Sequence, residues 1–553
     1  MRSLRFGIYT AIFLLSSTFV HAIPVLSQNL IVTGPSKLAL ESALRVGNDG
    51  GNPVDVAVAY GLTLAVTHPY FGSIGGGGFA MINMDGKPIA LDFREEAPSA
   101  TGPDYYLKKR KNKNASWTGG AAVGVPGVPH GLWTLHQKYG KLKWSKLFKE
   151  ALKHSKHGFP VSSEWYSVTN RKKNKFWKDG AFHLIPGGKV PLPGDILKQP
   201  GLYKALKKLK NKGPKGFYEG DIAQDIVDSV RASKGDMKME DLKSYKPKWR
   251  KPLTTEFEGK KVYLMPPPSA GGVVIKTALE LVKKQNLKKY KALSIDELHL
   301  LSEIMSASFR GRALLGDPDY HKNPIDFLTG EKYIKKLNSK ISRWKVANRK
   351  PLSESKNYES DQTTHFVVMN KKGQAVSITT TLNGNYGSGV ISKKYGVALN
   401  NEMDDFTTKP GVPNAYRLVQ GMGNKVEPKK RPLSSMSPTL VLNKKGETVL
   451  ALGAPGGPRI INGVFQTLYR SMTSDLNMEK AIFTPRLHHQ FLPRITFYER
   501  DRFSPYVLKA LEKRGHKLKP IHGVAIAYGA KKNKEGLLEA AADFRGEGFT
   551  GGL

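Results

Sequence analysis

The sequence predicts a mixed α/β fold built around a large core, and three observations support this fold class. Polar turns at Asp85-Gly86, at residues 370–373 and at residues 443–446 each separate two short apolar runs, as in a β-hairpin. Residues 54–66 are apolar almost all round, as expected of a buried helix, whereas residues 460–472 have the spacing of an amphipathic helix. The chain has 553 residues, 39% of them hydrophobic, so it can bury a large core; its length does not decide between one domain and several.

The amino-terminal residues are typical of a secretory signal peptide. Arg2 and Arg5 precede an apolar run at residues 6–19, and Ala22 offers a small residue at a cleavage point. The run is too short for a membrane span, and no later stretch reaches the ~20 apolar residues that a spanning helix needs. We therefore expect residues 1–22 to be removed and the rest to be exported, periplasmic or secreted, with no stable membrane span.

Composition excludes several classes of function. The sequence has no cysteine, which rules out a disulfide framework, a thiol nucleophile and a cysteine-ligated metal. The formal net charge of +41 is compatible with binding to anionic polymers, but the lysines are scattered in short runs without a nucleic-acid recognition motif. We therefore expect a solvated basic surface and no nucleic-acid partner.

The first hairpin leads to a candidate binding residue. A glycine-rich segment at residues 71–78 runs into a predicted strand at 79–84, which is not the strand-to-helix setting of a dinucleotide-binding loop. The return strand at 88–93 ends at Arg94. A single arginine is usually surface charge, although a guanidinium can also hold a carboxylate through two parallel hydrogen bonds.

The middle of the chain is predicted to be a structural scaffold. Residues 120–350 are mainly helical in pattern, and Ser294 with Glu297 forms a capping-box sequence at the start of one helix. Residues 339–361 are rich in lysine, serine and asparagine, so they are predicted to be a solvated linker. Metalloprotease, α/β-hydrolase and P-loop motifs are absent from the sequence.

Thr363 stands where this linker meets a buried strand. If the Gln362-Thr363 bond were cut, Thr363 would carry both a hydroxyl nucleophile and an α-amine with a pKa of roughly 8, able to act as a base. Threonines are also common strand formers, and for this stretch alone that plain interpretation is the more frequent one. The predicted partner strand at 375–382 brings Thr381 and Asn383 back towards Thr363.

Two later segments add candidate site residues. A predicted strand at 396–399 runs into a cluster that contains Glu402, Asp404 and Asp405, which would suit a substrate ammonium. After the hairpin at 439–452, Gly456-Gly457 precedes the amphipathic helix. Glycines at a helix entrance expose backbone N–H groups beside the positive end of the dipole, a plausible oxyanion hole, although such a pair is more often a simple turn.

Together these segments resemble the γ-glutamyltransferase (γ-glutamyl transpeptidase) family of N-terminal-nucleophile hydrolases. The resemblance covers nearly the whole chain after the leader. Four motifs carry it, in the family's order and approximate spacing: Thr363-Thr364-His365, Leu399-Asn400-Asn401-Glu402-Met403-Asp404-Asp405-Phe406, Arg431-Pro432-Leu433-Ser434-Ser435-Met436-Ser437-Pro438 and Pro455-Gly456-Gly457.

The resemblance implies a four-layer αββα fold, with two stacked sheets between helical layers. It also implies a precursor that cuts itself into a large subunit, residues 23–362, and a small subunit, residues 363–553, which together form one structural unit and associate as a heterodimer. No cofactor or metal is implied.

The resemblance further assigns roles to individual residues. Thr363 would be the nucleophile, Thr381 would hydrogen-bond it, and Gly456 and Gly457 would form the oxyanion hole. The other implied roles are binding of the substrate α-carboxylate by Arg94, Ser434 and Ser435, binding of its α-ammonium by Asn383, Glu402 and Asp405, and gating by Tyr416 in a lid loop at residues 409–430.

The implied activity is cleavage of γ-glutamyl amides such as glutathione, with transfer to water or to an amino acid or peptide acceptor. Two alternatives stay open. One is a cephalosporin or glutaryl acylase of the same architecture, which needs no ammonium site. The other is a catalytically inactive, cationic surface-binding relative, which the presence of Thr363, Thr381 and the glycine pair disfavours.

Overall fold

Two seven-stranded antiparallel sheets form the centre of the chain. The computed structural model describes residues 24–110, 114–347, 363–407 and 421–553. Strands and helices are numbered in chain order. The first sheet consists, from edge to edge, of β19 (Phe549–Gly552), β2 (Leu30–Gly34), β10 (Thr363–Asn370), β11 (Ala375–Thr381), β3 (Gly77–Asn83), β4 (Ile89–Phe93) and β7 (Lys248–Arg250).

The second sheet packs against the first. From edge to edge it consists of β1 (Val25–Ser27), β18 (Leu538–Ala542), β17 (Tyr528–Lys532), β13 (Thr448–Gly453), β12 (Thr439–Leu442), β9 (Lys260–Leu264) and β8 (Leu253–Phe257). The smaller sheets consist of β14 (Leu487–His488), β15 (Thr496–Glu499) and β16 (Leu518–Ile521), and of β5 (Phe159–Pro160) and β6 (Ile196–Leu197).

Helices cover the outer faces of the two sheets. They are α1 (Lys37–Asn48), α2 (Pro53–Thr67), α3 (Val128–Tyr139), α4 (Lys149–His157), α5 (Ser163–Lys172), α6 (Lys178–Ala181), α7 (Pro200–Lys212), α8 (Lys215–Tyr218), α9 (Gly220–Ala232), α10 (Met239–Ser244), α11 (Gly271–Lys284), α12 (Ile295–Phe309), α13 (Ile325–Thr329), α14 (Glu331–Asn338), α15 (Arg459–Thr473), α16 (Met478–Phe483) and α17 (Pro505–Lys513). Among the described residues, no helix combines the length and the apolar character needed to cross a bilayer.

The alternation of side chains along β10 shows how the layers stack. Phe366 and Val368 belong to a core shared with α2, and the Phe366 ring stacks on Tyr60 of that helix at 4.6 Å. Val367 and Met369 belong to the core between the sheets. Because successive residues of a strand point to opposite faces, β10 is buried on both sides. The predicted αββα order is confirmed.

Several predicted elements are confirmed in detail. The strands on either side of Asp85-Gly86, of residues 370–373 and of residues 443–446 pair as antiparallel hairpins. The predicted buried helix is α2, all of whose residues are buried. The predicted amphipathic helix is α15.

One prediction about local structure is wrong, and two are confirmed only in part. Residues 396–399 form only isolated bridges, in which Ala398 pairs with Ile391 and Leu399 with Gly75. Residues 120–350 are mainly helical as predicted, with helices α3 to α14, although the interpretation missed β7, β8 and β9, which join the edges of both sheets. The capping box is half formed, because the Glu297 carboxylate accepts from the N–H of Leu293 instead of that of Ser294.

A buried ion pair joins α12 to α15. Arg470 donates to both oxygens of Glu297, at 2.5 and 2.6 Å, and the side chains are 5% and 1% exposed. Loss of the arginine would be costly, because the other donors to this carboxylate, the Leu293 N–H and the Tyr469 hydroxyl, are neutral. This pair therefore fixes the orientation of α15, whose amino-terminal end lies next to the candidate site described below.

Replacing Arg470 with methionine should destabilise the protein by about 3 to 5 kcal/mol, because Glu297 is left buried without its partner. Thermal and urea unfolding of the purified variant measure the change. Lys335→Met, which removes an exposed partner of Glu331, is the control and should leave the unfolding temperature nearly unchanged. Equal stability of the two variants would contradict the assignment.

Candidate active site

The site begins at the first residue of β10. Thr363 pairs with Thr381 of β11, and their Oγ1 atoms lie 3.4 Å apart. The Thr381 hydroxyl also accepts a hydrogen bond from the Asn383 N–H at 2.8 Å. Thr363 is only 8% exposed, although it opens its strand. The two hydroxyls therefore face each other at the end of the layer between the sheets.

His365 supports this end of the sheet without being available for proton transfer. Its Nδ1 lies 2.8 Å from Thr379 Oγ1 and its Nε2 lies 3.3 Å from Ser377 Oγ. Burial lowers its pKa to about 3, so the ring is neutral at physiological pH. Gly453 of β13 touches the ring, and a Cβ there would come within 2.2 Å of it. His365 is thus a packing residue between the two sheets.

A single pocket brings together most of the predicted site residues. It lies beside Thr363, where the ends of β10 and β11 meet the start of α15. The lining residues are Arg94, Arg312, Thr363, Thr381, Asn383, Glu402, Asp405, Ser434, Ser435, Met436, Gly457, Pro458 and Ile460. Nine of the residues proposed from the sequence are therefore neighbours.

Arg94 forms the electrostatic centre of the pocket. It donates through Nη1 to Glu402 Oε1 and through Nη2 to Asp405 Oδ2, the latter at 2.5 Å. Its Nε donates to the carbonyl of Pro432 at 3.2 Å, and Glu95 lies 3.7 Å away. Arg94 therefore joins its sequence neighbour Glu95 and the distant Glu402 and Asp405 in one largely buried ion-pair network.

Burial changes the protonation of this network. Burial raises the pKa of Glu95 to about 7, an effect that the charge of Arg94 partly offsets. Burial also raises the pKa of Glu402, again against the charge of Arg94. The pKa of Arg94 is raised by the surrounding carboxylates, whose charges outweigh its own burial. The network thus favours a permanently charged arginine with fewer than three ionised carboxylates.

The third carboxylate of the acidic cluster points elsewhere. Asp404 accepts a hydrogen bond from the Ser116 hydroxyl at 2.7 Å and does not line the pocket. Of the three carboxylates in this cluster, two therefore contribute to the site. This difference makes Asp404 a natural control for experiments on Asp405.

Arg312 is a pocket residue that the sequence interpretation missed. It is fully buried, and its Nε and Nη1 have no hydrogen-bond partner among the residues that the structure describes. Its Nη2 lies 3.5 Å from Ser435 Oγ. Burial lowers its pKa to about 10, although the charge of Asp405 opposes the effect. The pocket therefore has a second cation.

The serines of the pocket are held by backbone contacts. Ser434 donates its N–H to the carbonyl of Pro268 at 2.7 Å, and its own carbonyl accepts from the Ala270 N–H at 2.8 Å. Its hydroxyl accepts from the Met436 N–H at 3.1 Å. Ser434 and Ser435 are thus fixed beside the two arginines by an anchored loop.

The glycine pair has the backbone shape that the sequence suggested. Gly456 and Gly457 have φ values of 137° and 56°, which residues with a Cβ rarely adopt. Pro458 caps α15 immediately after them, and Gly457 lines the pocket while Gly456 packs against Ala525. Gly457, at the entrance of this helix, therefore lines the same pocket as Thr363.

Four predicted features lie wholly or partly outside the described residues. They are the signal peptide at residues 1–22, the linker at residues 339–361, Gln362 on the amino-terminal side of the predicted cut, and the lid loop that contains Tyr416. All four stay predictions.

Comparisons with known proteins agree on one family. A family model described as gamma-glutamyltranspeptidase matches residues 39–553. The glutathione hydrolase proenzymes of Escherichia coli (strain K12) and Pseudomonas aeruginosa are each 38% identical to this chain and cover 94% of it, which corresponds to 91% and 93% of those proteins.

Two solved structures are also similar to this chain. The gamma-glutamyltranspeptidase of Helicobacter pylori matches with a TM-score of 0.55 and 34% identity, covering 58% of this chain and 96% of that one. The cephalosporin acylase from Bacillus halodurans matches with a TM-score of 0.83 over 100% of this chain and 99% of that one. At 22% identity, the second match shows a shared fold only.

Glu95→Gln should flatten the pH dependence of stability. Because burial raises the folded-state pKa of Glu95 from 4.5 to about 7, the folded protein holds the proton more tightly. The stability of the wild type should therefore fall, by about 2 to 4 kcal/mol, as the pH rises from roughly 4.5 through 7. Differential scanning calorimetry across this range measures the effect.

Glu535→Gln is the matched control for this test, since Glu535 is exposed. Its profile should follow that of the wild type. If the stability of Glu95→Gln depends on pH as that of the wild type does, Glu95 is not the group that binds a proton in this pH range.

Proposed function

This chain belongs to the gamma-glutamyltranspeptidase family, and on that basis we propose that it is an exported γ-glutamyltransferase and glutathione hydrolase. It would cleave γ-glutamyl amides such as glutathione and pass the γ-glutamyl group to water or to an amino acid or peptide acceptor. The observation that carries the proposal is the Thr363 hydroxyl at the wall of a pocket that also contains the Arg94 ion-pair network.

The proposed nucleophile needs a free amino terminus. Cleavage between Gln362 and Thr363 would give Thr363 an α-amine beside its own hydroxyl. The neutral, hydrogen-bonded His365 is a poor base, which leaves the amine as the natural proton acceptor. Two findings on relatives support the cut: the E. coli relative is named a proenzyme, and the matched H. pylori chain spans about three fifths of this chain, close to the proposed large subunit.

The reaction would proceed through an ester of Thr363. Its Oγ1 attacks the γ-carbonyl carbon of the substrate while the α-amine takes the hydroxyl proton. The N–H groups of Gly456 and Gly457 would stabilise the resulting oxyanion, an interaction whose loss costs roughly 3 to 4 kcal/mol in comparable sites. The C–N bond then breaks and the leaving amine takes the proton. Water or an acceptor amine attacks the ester and restores Thr363.

On substrate binding, the ion pairs between Arg94 and its carboxylate partners would be replaced by ion pairs with the substrate. A γ-glutamyl group carries an α-carboxylate and an α-ammonium on one carbon. The carboxylate would bind Arg94 together with Ser434 and Ser435, and the ammonium would bind Glu402 and Asp405 with Asn383. Because Arg94 pairs with the same two carboxylates, the substrate zwitterion matches the charges of the network at both ends. Arg312 would add positive potential on the carboxylate side.

Two acidic residues in the pocket argue against the acylase alternative. A glutaryl or cephalosporin side chain without an α-ammonium would leave Glu402 and Asp405 without a cationic partner on the substrate. The likeness to the cephalosporin acylase does not alter this, since it concerns the fold alone. The non-catalytic alternative is disfavoured by the placement of Thr363, Thr381 and Gly457 around one pocket.

The remaining parts of the proposal rest on the sequence. Removal of residues 1–22 would release the protein into the periplasm or the medium. The predicted lid at residues 409–430, with Tyr416 at its gate, favours a small γ-glutamyl substrate over a polymer. No cofactor is required by the proposed reaction.

The first test concerns self-cleavage. Thr363→Ala should remain one chain, whereas Thr363→Ser should still be cut because it keeps a hydroxyl. Intact-mass analysis of the purified proteins shows whether each of them has been cut into two chains. Thr364→Ala is the matched control at the neighbouring position and should be cut normally. A single uncut chain in active wild-type protein would rule out the mechanism.

The second test concerns substrate class. Wild-type protein should release p-nitroaniline from γ-glutamyl-p-nitroanilide, and glycylglycine should accelerate the release if acceptors are used. Glutaryl-p-nitroanilide, which lacks only the α-amine, should react with a kcat/KM lower by roughly 30-fold to several thousand-fold. That range corresponds to the ~2 to 5 kcal/mol lost when one partner of a buried charge pair is missing.

Asp405→Asn should narrow the gap between the two anilides, because it removes both the attraction to the ammonium and the penalty for its absence. Asp404→Asn is the matched control and should keep the wild-type ratio, since Asp404 points to Ser116. Equal kcat/KM values for both anilides in the wild type would favour the acylase alternative.

A further inference from the structure

A second cluster of chemistry-bearing side chains lies away from the active-site pocket. The His68 cluster consists of His68, at the end of α2, Glu164 in the first turn of α5, and Glu547 just before β19. One ligand atom from each residue lies within 4.8 Å of the other two. These residues come from three separate parts of the chain, and the proposed reaction uses none of them.

The hydrogen bonds of His68 aim a lone pair into the cluster. Its Nδ1 lies 2.9 Å from the hydroxyl of Thr67, which donates to the carbonyl of Thr63 at 3.2 Å and lies 3.0 Å from the Ser36 hydroxyl. In the tautomer in which the Thr67 hydroxyl donates to this carbonyl and accepts from the imidazole, Nδ1 carries the proton and Nε2 offers a lone pair. The unprotonated Nε2 then faces the two glutamates.

This Nε2 atom is buried, in a side chain that is 9% exposed, and it has no hydrogen-bond partner among the residues that the structure describes. It lies 3.7 Å from Glu547 Oε2, which is too far for a hydrogen bond. Two ligands that share one tetrahedral zinc ion at about 2.0–2.2 Å lie roughly 3.3–3.6 Å apart, close to the spacing seen here. The spacing therefore fits an ion between the two atoms better than a direct contact.

We propose that the His68 cluster binds one divalent transition-metal ion, with Zn²⁺ best suited to its ligands. One imidazole and two carboxylates suit zinc, whereas Ca²⁺ and Mg²⁺ prefer oxygen ligands alone. Water would complete a four-coordinate site. The Thr67 hydroxyl would orient the histidine, and the Tyr70 hydroxyl, which donates to Glu164 Oε2 at 3.3 Å, would orient that carboxylate.

The charges of the cluster support a cation. Glu164 and Glu547 bring two carboxylate groups together beside the buried imidazole of His68. Two carboxylates and a dication sum to zero charge, so the ion would remove the cost of placing these groups together.

The positions of the ligands give the site a structural consequence. His68 and Glu164 precede the proposed cut at Thr363, and Glu547 follows it. In the cut protein the ion would link the large chain to the small one. Only this linking role depends on the proposed processing; metal binding itself does not.

The test is a zinc titration of the full-length, tag-free protein after dialysis against a chelator. Competition with a chromogenic zinc indicator at pH 7.5 should show one tight site per chain, and Zn²⁺ should raise the unfolding temperature. Co²⁺ should give the visible absorption of a site with a nitrogen ligand. Mg²⁺ should not compete.

Glu547→Gln, which preserves shape, should weaken zinc binding at least tenfold and remove the thermal shift while leaving the circular dichroism spectrum unchanged. His183→Ala removes an equally buried histidine elsewhere and should bind zinc like the wild type. The uncut Thr363→Ala protein should also bind, which separates this test from that of self-cleavage. Absence of a tight site, or full binding by Glu547→Gln, would overturn the proposal and leave a shared proton as the link between the carboxylates.

Discussion

Both faces of β10 are buried, and this constraint determines where Thr363 lies. Phe366 and Val368 pack against the helical layer, so the residues in the opposite phase, including His365 and Val367, must face the second sheet. Thr363 is in that phase. Its side chain therefore faces the second sheet, in the pocket that Gly457 also lines just before α15. A shift of register by one residue would turn the hydroxyl into the helical layer instead.

Charge burial imposes a second constraint on the site. Arg94 is 1% exposed, and such a guanidinium is tolerated only with anionic partners. Glu402 and Asp405 supply them, and with Glu95 at 3.7 Å three carboxylates surround this one guanidinium. A ligand that carries its own ammonium would relieve this excess. The carboxylates that balance the buried charge of Arg94 can therefore also favour a ligand that carries both an ammonium and a carboxylate group.

The sequence was most informative where local rules decide the structure. Hairpin turns and the period of apolar residues predicted β10, β11, α2 and α15, because these signals depend on neighbours along the chain. Residues 396–399 look like a strand by composition, yet they make only isolated bridges. Most of the pocket could be proposed from motifs, but Arg312 could not: it follows α12 in an unremarked helical region, and only the tertiary fold brings it beside Ser435.

The strand order explains how the protein could lose a peptide bond before Thr363 and keep its fold. In the first sheet β2, from before the proposed cut, lies between β19 and β10, from after it. In the second sheet β1 lies at one edge and β9 and β8 at the other, with four strands from the later part between them. Separating the two parts would break ladders in both sheets and expose both cores. Cleavage would therefore expose the α-amine of Thr363 while the two resulting chains stay bound to each other. The new amino terminus would remain at the pocket wall, where the proposed reaction needs it.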